Sequence, residues 1–393
     1  MNVVFIHNNG IMPERGGISR TTYNLGKSFL SRGCNVFFLG LLNTDKEYSY
    51  SSYQLFFPNY DQLESEANIK FIKNLIIENS IDAVINQNPL NPLLVDFIYE
   101  CLSQFKDVKI ISCYHNSILT PIYNYAYQKE YLLRKFHMSL LFYLLSRKII
   151  NILLVKSYIM KYRNDYKNAL EKSDKVVLLC DGLVDEFKFI TNVKNSDKIA
   201  VVPNMTPKIQ FSGNINKKNV IIWVGTFNGP VKRPDLAIRV WGKLCRKYID
   251  WEFKMLGDGP DLENMRKLAN QMNLKRISFE GRVHPDNYYL SSKLIMVTST
   301  HESFSLVTVE SMKYGCIPFV FNSFPAASMI INQGINGFLI EPFDIEKMFD
   351  TIDRVINDPQ LLDTLAKNAI KTSEEFSEPK VYNKWRHLVM GIS

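Results

Sequence analysis

Cysteine is scarce and dispersed: the six thiols (Cys34, Cys101, Cys113, Cys180, Cys245 and Cys316) include no C-x-x-C pair. That spacing argues against a zinc site or a disulfide framework and fits a reducing compartment. No G-x-G-x-x-G follows the first apolar run, which counts against a nicotinamide-dependent oxidoreductase. The opening residues, Met1-Asn-Val-Val-Phe-Ile-His7, carry no basic n-region, and their apolar run is too short for a signal peptide. They read as the first strand of a cytoplasmic protein. Arg147, Lys148 and Lys156 interrupt the apolar runs around them, so no transmembrane span is expected. No metal-ligand cluster and no recognised nucleic-acid motif is present. A hydrophobic content of 46% with 22% charged residues is that of a globular protein, and 393 residues make two domains the natural expectation.

Charge is unevenly spread. Between Lys129 and Lys175 there are eleven Lys/Arg against four acids, so that this stretch carries +7 of the formal +8. It also holds Tyr131, Phe136, Phe142, Tyr143, Tyr158, Tyr162 and Tyr166. A basic, aromatic-rich helical segment has the composition of a surface that lies on a membrane. A pair of core helices with solvated lysines has the same composition, and both readings stand at this stage.

Hydrophobic patterning divides the chain into two similar halves. Strands are predicted at 3–7, 35–39, 83–85, 109–113, 175–179 and 199–202, with helices at 18–31, 63–78 and 93–104 between them. A Pro- and Gly-bearing segment, Pro203 to Asn214, reads as a linker. Beyond it come strands at 220–224, 252–256, 277–280, 294–298, 317–321 and 337–340. Helices are predicted at 235–248, 262–272, 307–314 and 345–357, and a final one at 380–390 contains Trp385. The expected class is α/β: two doubly wound domains, 1–208 and 209–376, followed by a helix in 377–393 that packs back towards the first domain. Ligands of such sheets bind at the carboxyl ends of the strands.

One junction stands out for its chemistry. Glu302 falls in the loop after the apolar strand around Leu294–Val297, and Glu310 falls inside the helix that ends before Gly315. The N–H groups of that helix start can hold an anion, with a carboxylate on either side to accept sugar hydroxyls. Two solvated glutamates near a helix start would have the same spacing.

Several segments, taken in order, carry a resemblance. They are Trp223-Val-Gly-Thr-Phe, Lys232-Arg-Pro-Asp-Leu-Ala-Ile, Met255-Leu-Gly-Asp-Gly-Pro and Phe279-Glu-Gly-Arg-Val. Ser299-Thr-His-Glu-Ser-Phe-Ser, Glu310-Ser-Met-Lys-Tyr-Gly-Cys-Ile-Pro and Gly334-Ile-Asn-Gly-Phe-Leu-Ile follow, and Gly16-Gly-Ile-Ser-Arg, Ser173-Asp-Lys-Val-Val and Val202-Pro-Asn agree in the first half. Together they resemble the family 4 glycosyltransferases of the GT-B fold, two facing Rossmann-like domains with an interdomain cleft.

The resemblance implies roles. Lys232 would stabilise the departing donor phosphate, Glu302 would lie near the transferred sugar, and Glu310 would accept from the ribose hydroxyls. Gly16 and Gly17 would let backbone approach phosphate closely, and His115 would contact the donor sugar. Gly257 and Gly259 would shape a loop, while Arg282 and Val283 would flank the nucleobase. The family often has arginine where this chain has Thr226; Arg233, where many relatives have glycine, is expected to supply that charge. Ser303, Phe304 and Ser305, followed by Leu306, stand where Gly-Phe-Gly is usual, a change expected to bear on sugar choice. The implied enzyme is a retaining glycosyltransferase that moves a hexose or N-acetylhexosamine from a nucleotide-sugar, expected to be a UDP-sugar, to a hydroxyl of a lipid-linked glycan. The setting would be polysaccharide or lipopolysaccharide synthesis (O-antigen or capsule), without a bound metal or cofactor, at the cytoplasmic membrane face. GDP-mannose as donor, or a UDP-sugar epimerase on the same fold, are the alternatives. Its partners would be the donor, the glycan acceptor and the inner-membrane surface through Lys129–Lys175, with no nucleic acid.

Overall fold

The computed structural model describes residues 1–13, 16–42, 53–135, 148–207 and 217–391, apart from the side chains of 131, 132, 134 and 135. Within these residues the chain forms two compact units, one of 1–116, 158–207 and 377–393, the other of 117–157 and 208–376. Part of the expected basic region, residues 136–147, lies outside the described residues, as does most of the expected linker.

The first unit is built on β1 (Asn2–Asn9), β2 (Asn35–Leu42), β3 (Gln54–Phe56), β4 (Ala83–Asn86), β5 (Lys109–Cys113), β6 (Lys175–Leu178) and β7 (Ile199–Val201). They form one parallel sheet in the order β3-β2-β1-β4-β5-β6-β7. β1 is central because its apolar run is continuous, as a strand covered on both faces requires. Its residues alternate between faces. Val3 and Phe5 join a cluster with Phe29, Val36, Ile85 and Trp385, while Val4 and Ile6 join one with Leu39, Ile72, Val84 and Phe97. The terminal helix Glu378–Met390 belongs to this unit. Val381, Tyr382, Trp385 and Val389 enter the first cluster, Tyr382 meets Phe29 edge-on at 5.2 Å, and Glu378 pairs with Arg32.

The second unit has β8 (Lys218–Val224), β9 (Glu252–Leu256), β10 (Ile277–Gly281), β11 (Ser292–Val297), β12 (Ile317–Phe321) and β13 (Phe338–Ile340). They run parallel in the order β10-β9-β8-β11-β12-β13. In both sheets the chain leaves its first strand in one direction and then crosses to the other side. Each therefore has a topological switch point, beside β1 and β4 in one and beside β8 and β11 in the other, where doubly wound sheets bind ligands.

The structure departs from the sequence reading at the boundary. Residues 117–157 cluster with the second unit, although they precede the expected division at 208. Side chains explain this. Asn124 Nδ2 donates to the carbonyls of Thr300 and Ser323 at 2.6 and 2.9 Å, and the Tyr127 ring lies 4.1 Å from that of Phe343. The helices Asp181–Thr191 and Pro359–Ser373 and the short edge strand β3 carried no expectation.

Candidate active site

At the second switch point, β8 delivers Trp223 and then a loop, Gly225–Asn228, that leads into the short helix Gly229–Lys232. The turn after β9 supports that loop: Gly225 N–H donates to Leu256 O at 3.0 Å, and Phe227 N–H to Asp258 O at 2.9 Å. Gly257 has φ +131°, and a Cβ there would stand 1.8 Å from the Gly225 carbonyl oxygen. Only glycine allows the two loops to approach this closely.

From the other side, β11 leads into Thr298. Its hydroxyl accepts from Trp223 Nε1 at 3.1 Å and faces the carbonyls of Lys232 and Arg233 at 3.0 and 2.8 Å as donor. Thr300 N–H donates to Val231 O at 2.7 Å. These bonds tie the loop after β11 to the loop after β8, and they bring the two expected charges together. Lys232 Nζ donates to Glu302 Oε1 at 2.6 Å, and Ser299 Oγ donates to the same oxygen at 2.7 Å. Ser117 Oγ holds the Glu302 carbonyl at 2.5 Å. Both of these side-chain bonds fall on Oε1.

The helix Leu306–Lys313 starts beside Glu302 and carries no side-chain cap, so its first N–H groups suit an anion. Ser305 precedes it in the left-handed region at φ +67°, and its hydroxyl lies 2.8 Å from that of Thr308. A glycine takes this conformation freely, which gives a physical reason for glycine at the matching family position. Phe304 is buried, edge-on to Phe376 at 5.4 Å. Glu310 lies half-buried in the helix near Lys313, and burial lowers the Lys313 ammonium while Glu310 offsets part of that effect. Thr226 is exposed on the β8 loop, and Arg282 and Val283 are exposed beyond β10, at the sheet edge.

Arg233 corrects an expectation. It is fully buried and does not face the crevice. Its guanidinium makes a two-point pair with Asp235 (Nε–Oδ1 2.9 Å, Nη2–Oδ2 3.0 Å), and Nη1 donates to Glu130 Oε2 at 3.0 Å and to Tyr127 O at 3.1 Å. Burial opposes the charge, but Asp235 and Glu130 outweigh it and raise the guanidinium above its ordinary value. Its φ of +48° again marks a position where glycine is at ease. The cation here is committed to two carboxylates inside the fold, where burial keeps it from a diphosphate in the crevice.

The first unit holds its own pocket at the β1/β4 switch point, a concavity of about 460 Å³ lined by His7, Asn8, Gly16, Gly17, Gln87 and Asn116, among others. Gly16 and Gly17 open the helix Gly17–Leu30, and a Cβ on either would meet no protein atom within 4 Å. Their bare faces are thus open to a ligand.

His115 is placed differently from expectation. Tyr114 N–H still pairs with Val177 O at 2.9 Å, so the strand geometry continues and turns His115 inward. Only 9% exposed, it binds Gln87 through Nε2, and with Thr22 it lines a separate small cavity of about 20 Å³. Gln87 and Asn116, not His115, reach the open pocket.

Burial pushes His115 down to about 3, with His7 adding to the effect, and pushes His7 down to about 4, from an ordinary 6.5. The unfolded chain takes up protons below 6.5 that the folded one refuses. Stability from this source is therefore complete above pH 6.5 and falls as pH drops towards 4. About 3 kcal/mol per histidine is expected over that window. Urea titrations across that window should show the fall, with a smaller slope in His115→Asn. Equal slopes in the two proteins would remove His115 from this account.

Residues that sequence reasoning did not single out are Ser117, Asn124, Trp223, Thr298 and Ser299. Ser299 and Trp223 lay within the resembling segments; Asn124 and Ser117 gave no signal, because they act across 176 and 185 residues.

Two Rossmann-type units, one with a lysine–glutamate pair at its switch point, define a protein of the GT-B fold. Solved structures agree over the whole chain. The apo lipopolysaccharide outer core galactosyltransferase WaaB has a TM-score of 0.70 and 16% identity, covering 100% of this chain and 99% of its own. An Anabaena protein in complex with UDP has a TM-score of 0.72 and 13% identity, with 100% of both chains covered. Residues 205–372 match the family model described as Glycosyl transferases group 1. An uncharacterized glycosyltransferase of Haemophilus influenzae is 30% identical over 225 residues, 56% of this chain and 62% of that protein. The match thus spans about three fifths of that relative's length.

Proposed function

We propose that this chain is a retaining glycosyltransferase that moves a hexose or N-acetylhexosamine from a UDP-sugar to a hydroxyl of a lipid-linked glycan. The observation that carries the reading is the Lys232–Glu302 pair, 2.6 Å apart, beside an uncapped helix start at the switch point. A nucleoside diphosphate leaving group develops negative charge. The Lys232 ammonium and the N–H groups at the start of Leu306–Lys313 would stabilise it there. As the diphosphate takes Lys232, Glu302 Oε2 would accept a hydroxyl of the transferred sugar, and Glu310 the ribose hydroxyls. The acceptor oxygen attacks on the face the diphosphate leaves, and the departing phosphate oxygen takes the acceptor proton. The C–O bond to phosphate breaks as the new glycosidic bond forms, and no protein nucleophile is needed. The route requires no metal, since Lys232 and the helix start supply the positive charge.

The Anabaena structure with UDP supports the choice of nucleotide, and the outer core galactosyltransferase supports a glycan acceptor. The first unit's pocket, whose polar side chains are mostly the amides Asn8, Asn9, Gln87, Asn88 and Asn116, would read sugar hydroxyls, an amide offering both a donor and an acceptor. A thermal-shift panel of UDP-, GDP- and ADP-sugars tests the donor. A ligand at a hundred times its Kd should add about 2.7 kcal/mol of apparent stability. A shift with GDP-mannose alone would replace UDP in this reading. Interconversion of UDP-sugars without acceptor, and without release of UDP, would replace transfer by epimerisation.

A further inference from the structure

The helix Lys148–Lys172 has a face that the fold leaves uncovered. Ile149 is 62% exposed, Ile152 53%, Leu153 56% and Met160 85%. With 3.6 residues per turn, Ile149, Ile152, Leu153, Lys156 and Met160 fall on one stripe about 16 Å long. Other positions of the helix are packed: Val155, Tyr166, Ala169 and Leu170 are buried, and Tyr166 stacks on Tyr114 at 5.2 Å. The helix end is held by Lys172 on Asp96 at 2.8 Å.

Four large apolar side chains on one stripe exceed the scattered exposure normal for a soluble surface. Charge indicates the occupant. From residue 148 to residue 164 the helix contains Lys148, Lys156, Lys161 and Arg163 and no Asp or Glu. Lys148, Lys156 and Lys161 are exposed, whereas Arg163 Nε is engaged with Ile190 O at 2.8 Å. Lys156 stands within the apolar stripe, where its methylene stem can lie along apolar surface while the ammonium reaches out. Apolar side chains at the depth of acyl chains, with ammonium groups at the depth of headgroups, are the pattern of a helix lying in a bilayer interface. No helix among the described residues is long and apolar enough to cross a membrane, so the contact is with one surface.

We propose that Ile149, Ile152, Leu153 and Met160, with Lys148, Lys156 and Lys161, form a docking face for an anionic lipid bilayer. This narrows the basic region to one stripe of one helix. Its purpose, to bring the protein to a lipid-linked acceptor, rests on the function proposed above, but the binding does not.

The test is co-sedimentation of the full chain with phosphatidylcholine vesicles, with and without an equal part of phosphatidylglycerol, at low and high salt. Binding is expected only with phosphatidylglycerol and should weaken with salt. I149N/L153N/M160N should lower the partition coefficient at least tenfold. K156E/K161E should do so by about tenfold or more, since each lysine near an anionic surface contributes a several-fold factor. All of these side chains are exposed, so both variants should keep the wild-type melting temperature and UDP-induced shift. Wild type that shifts with UDP but ignores anionic vesicles would overturn the docking face and leave the function intact. Equal sedimentation of the variants would move the lipid contact elsewhere. Wild-type dimers by light scattering, lost in I149N/L153N/M160N and without vesicle binding, would assign the stripe to a second copy of the chain. Vesicle binding without any nucleotide response would support the face and count against the enzyme.

Discussion

Lys232→Ala should lower sugar-transfer turnover by about 10²–10³-fold, the range seen when one preorganised group that meets developing charge is removed. The fold should barely notice. The pair with Glu302 is partly solvated, at 27% and 12% side-chain exposure, and such pairs contribute about 0–1 kcal/mol to stability. The backbone around it is held independently, by Thr298 on the Lys232 and Arg233 carbonyls and by Thr300 on Val231. Nucleotide release with a glycan acceptor, measured beside a melting curve, separates the two effects. Turnover within a few-fold of wild type would remove Lys232 from the chemistry. A large loss of melting temperature would make it a structural residue. Glu302→Gln keeps the shape of the side chain but loses its charge. If Lys232 and Glu302 act as a unit on the donor, the double variant should cost much less than the product of the two single losses.

Arg233→Ala should have the opposite signature, a loss of about 3–5 kcal/mol of stability, because it leaves Glu130 and Asp235 in the interior without their cation. Asp235 is 4% exposed and Glu130 8%. At constant denaturant slope the loss would appear as a lower urea midpoint of the second unit. Replacing Arg233, Glu130 and Asp235 together by apolar residues of similar volume should recover most of it, since no charge is then left buried. UDP affinity of the folded fraction of Arg233→Ala should stay within about threefold of wild type, a difference of well under 1.4 kcal/mol. An intact urea midpoint with a tenfold loss of UDP affinity would restore Arg233 as a phosphate ligand and refute its structural assignment.

Arg233 also shows where reading the chain reaches its limit. The segment Lys232-Arg-Pro-Asp marks a turn before a helix and offers two adjacent cations, and nothing local says which faces a ligand. The backbone decides. Residue 233 takes the left-handed region at φ +48°, and its side chain turns inward. There it meets a carboxylate 103 positions earlier in the chain. His115 is a similar case. Its place after β5 was legible, but the continued pairing of Tyr114 with Val177 turns it inward, into a separate small cavity rather than onto the wall of the open pocket.

Periodicity along the chain was enough for the buried strands β1, β5, β8, β9, β11 and β12, for the glycine-bearing loops and for the loop–helix placement of Glu302 and Glu310. These depend on neighbours within a few residues, through apolar runs, turn residues and helix ends. The membership of residues 117–157 in the second unit, the inward turn of Arg233 and the meeting of Lys232 with Glu302 depend on side chains 70 to 185 residues apart. Such contacts form only when the whole sheet has closed, and local patterning carries no record of them.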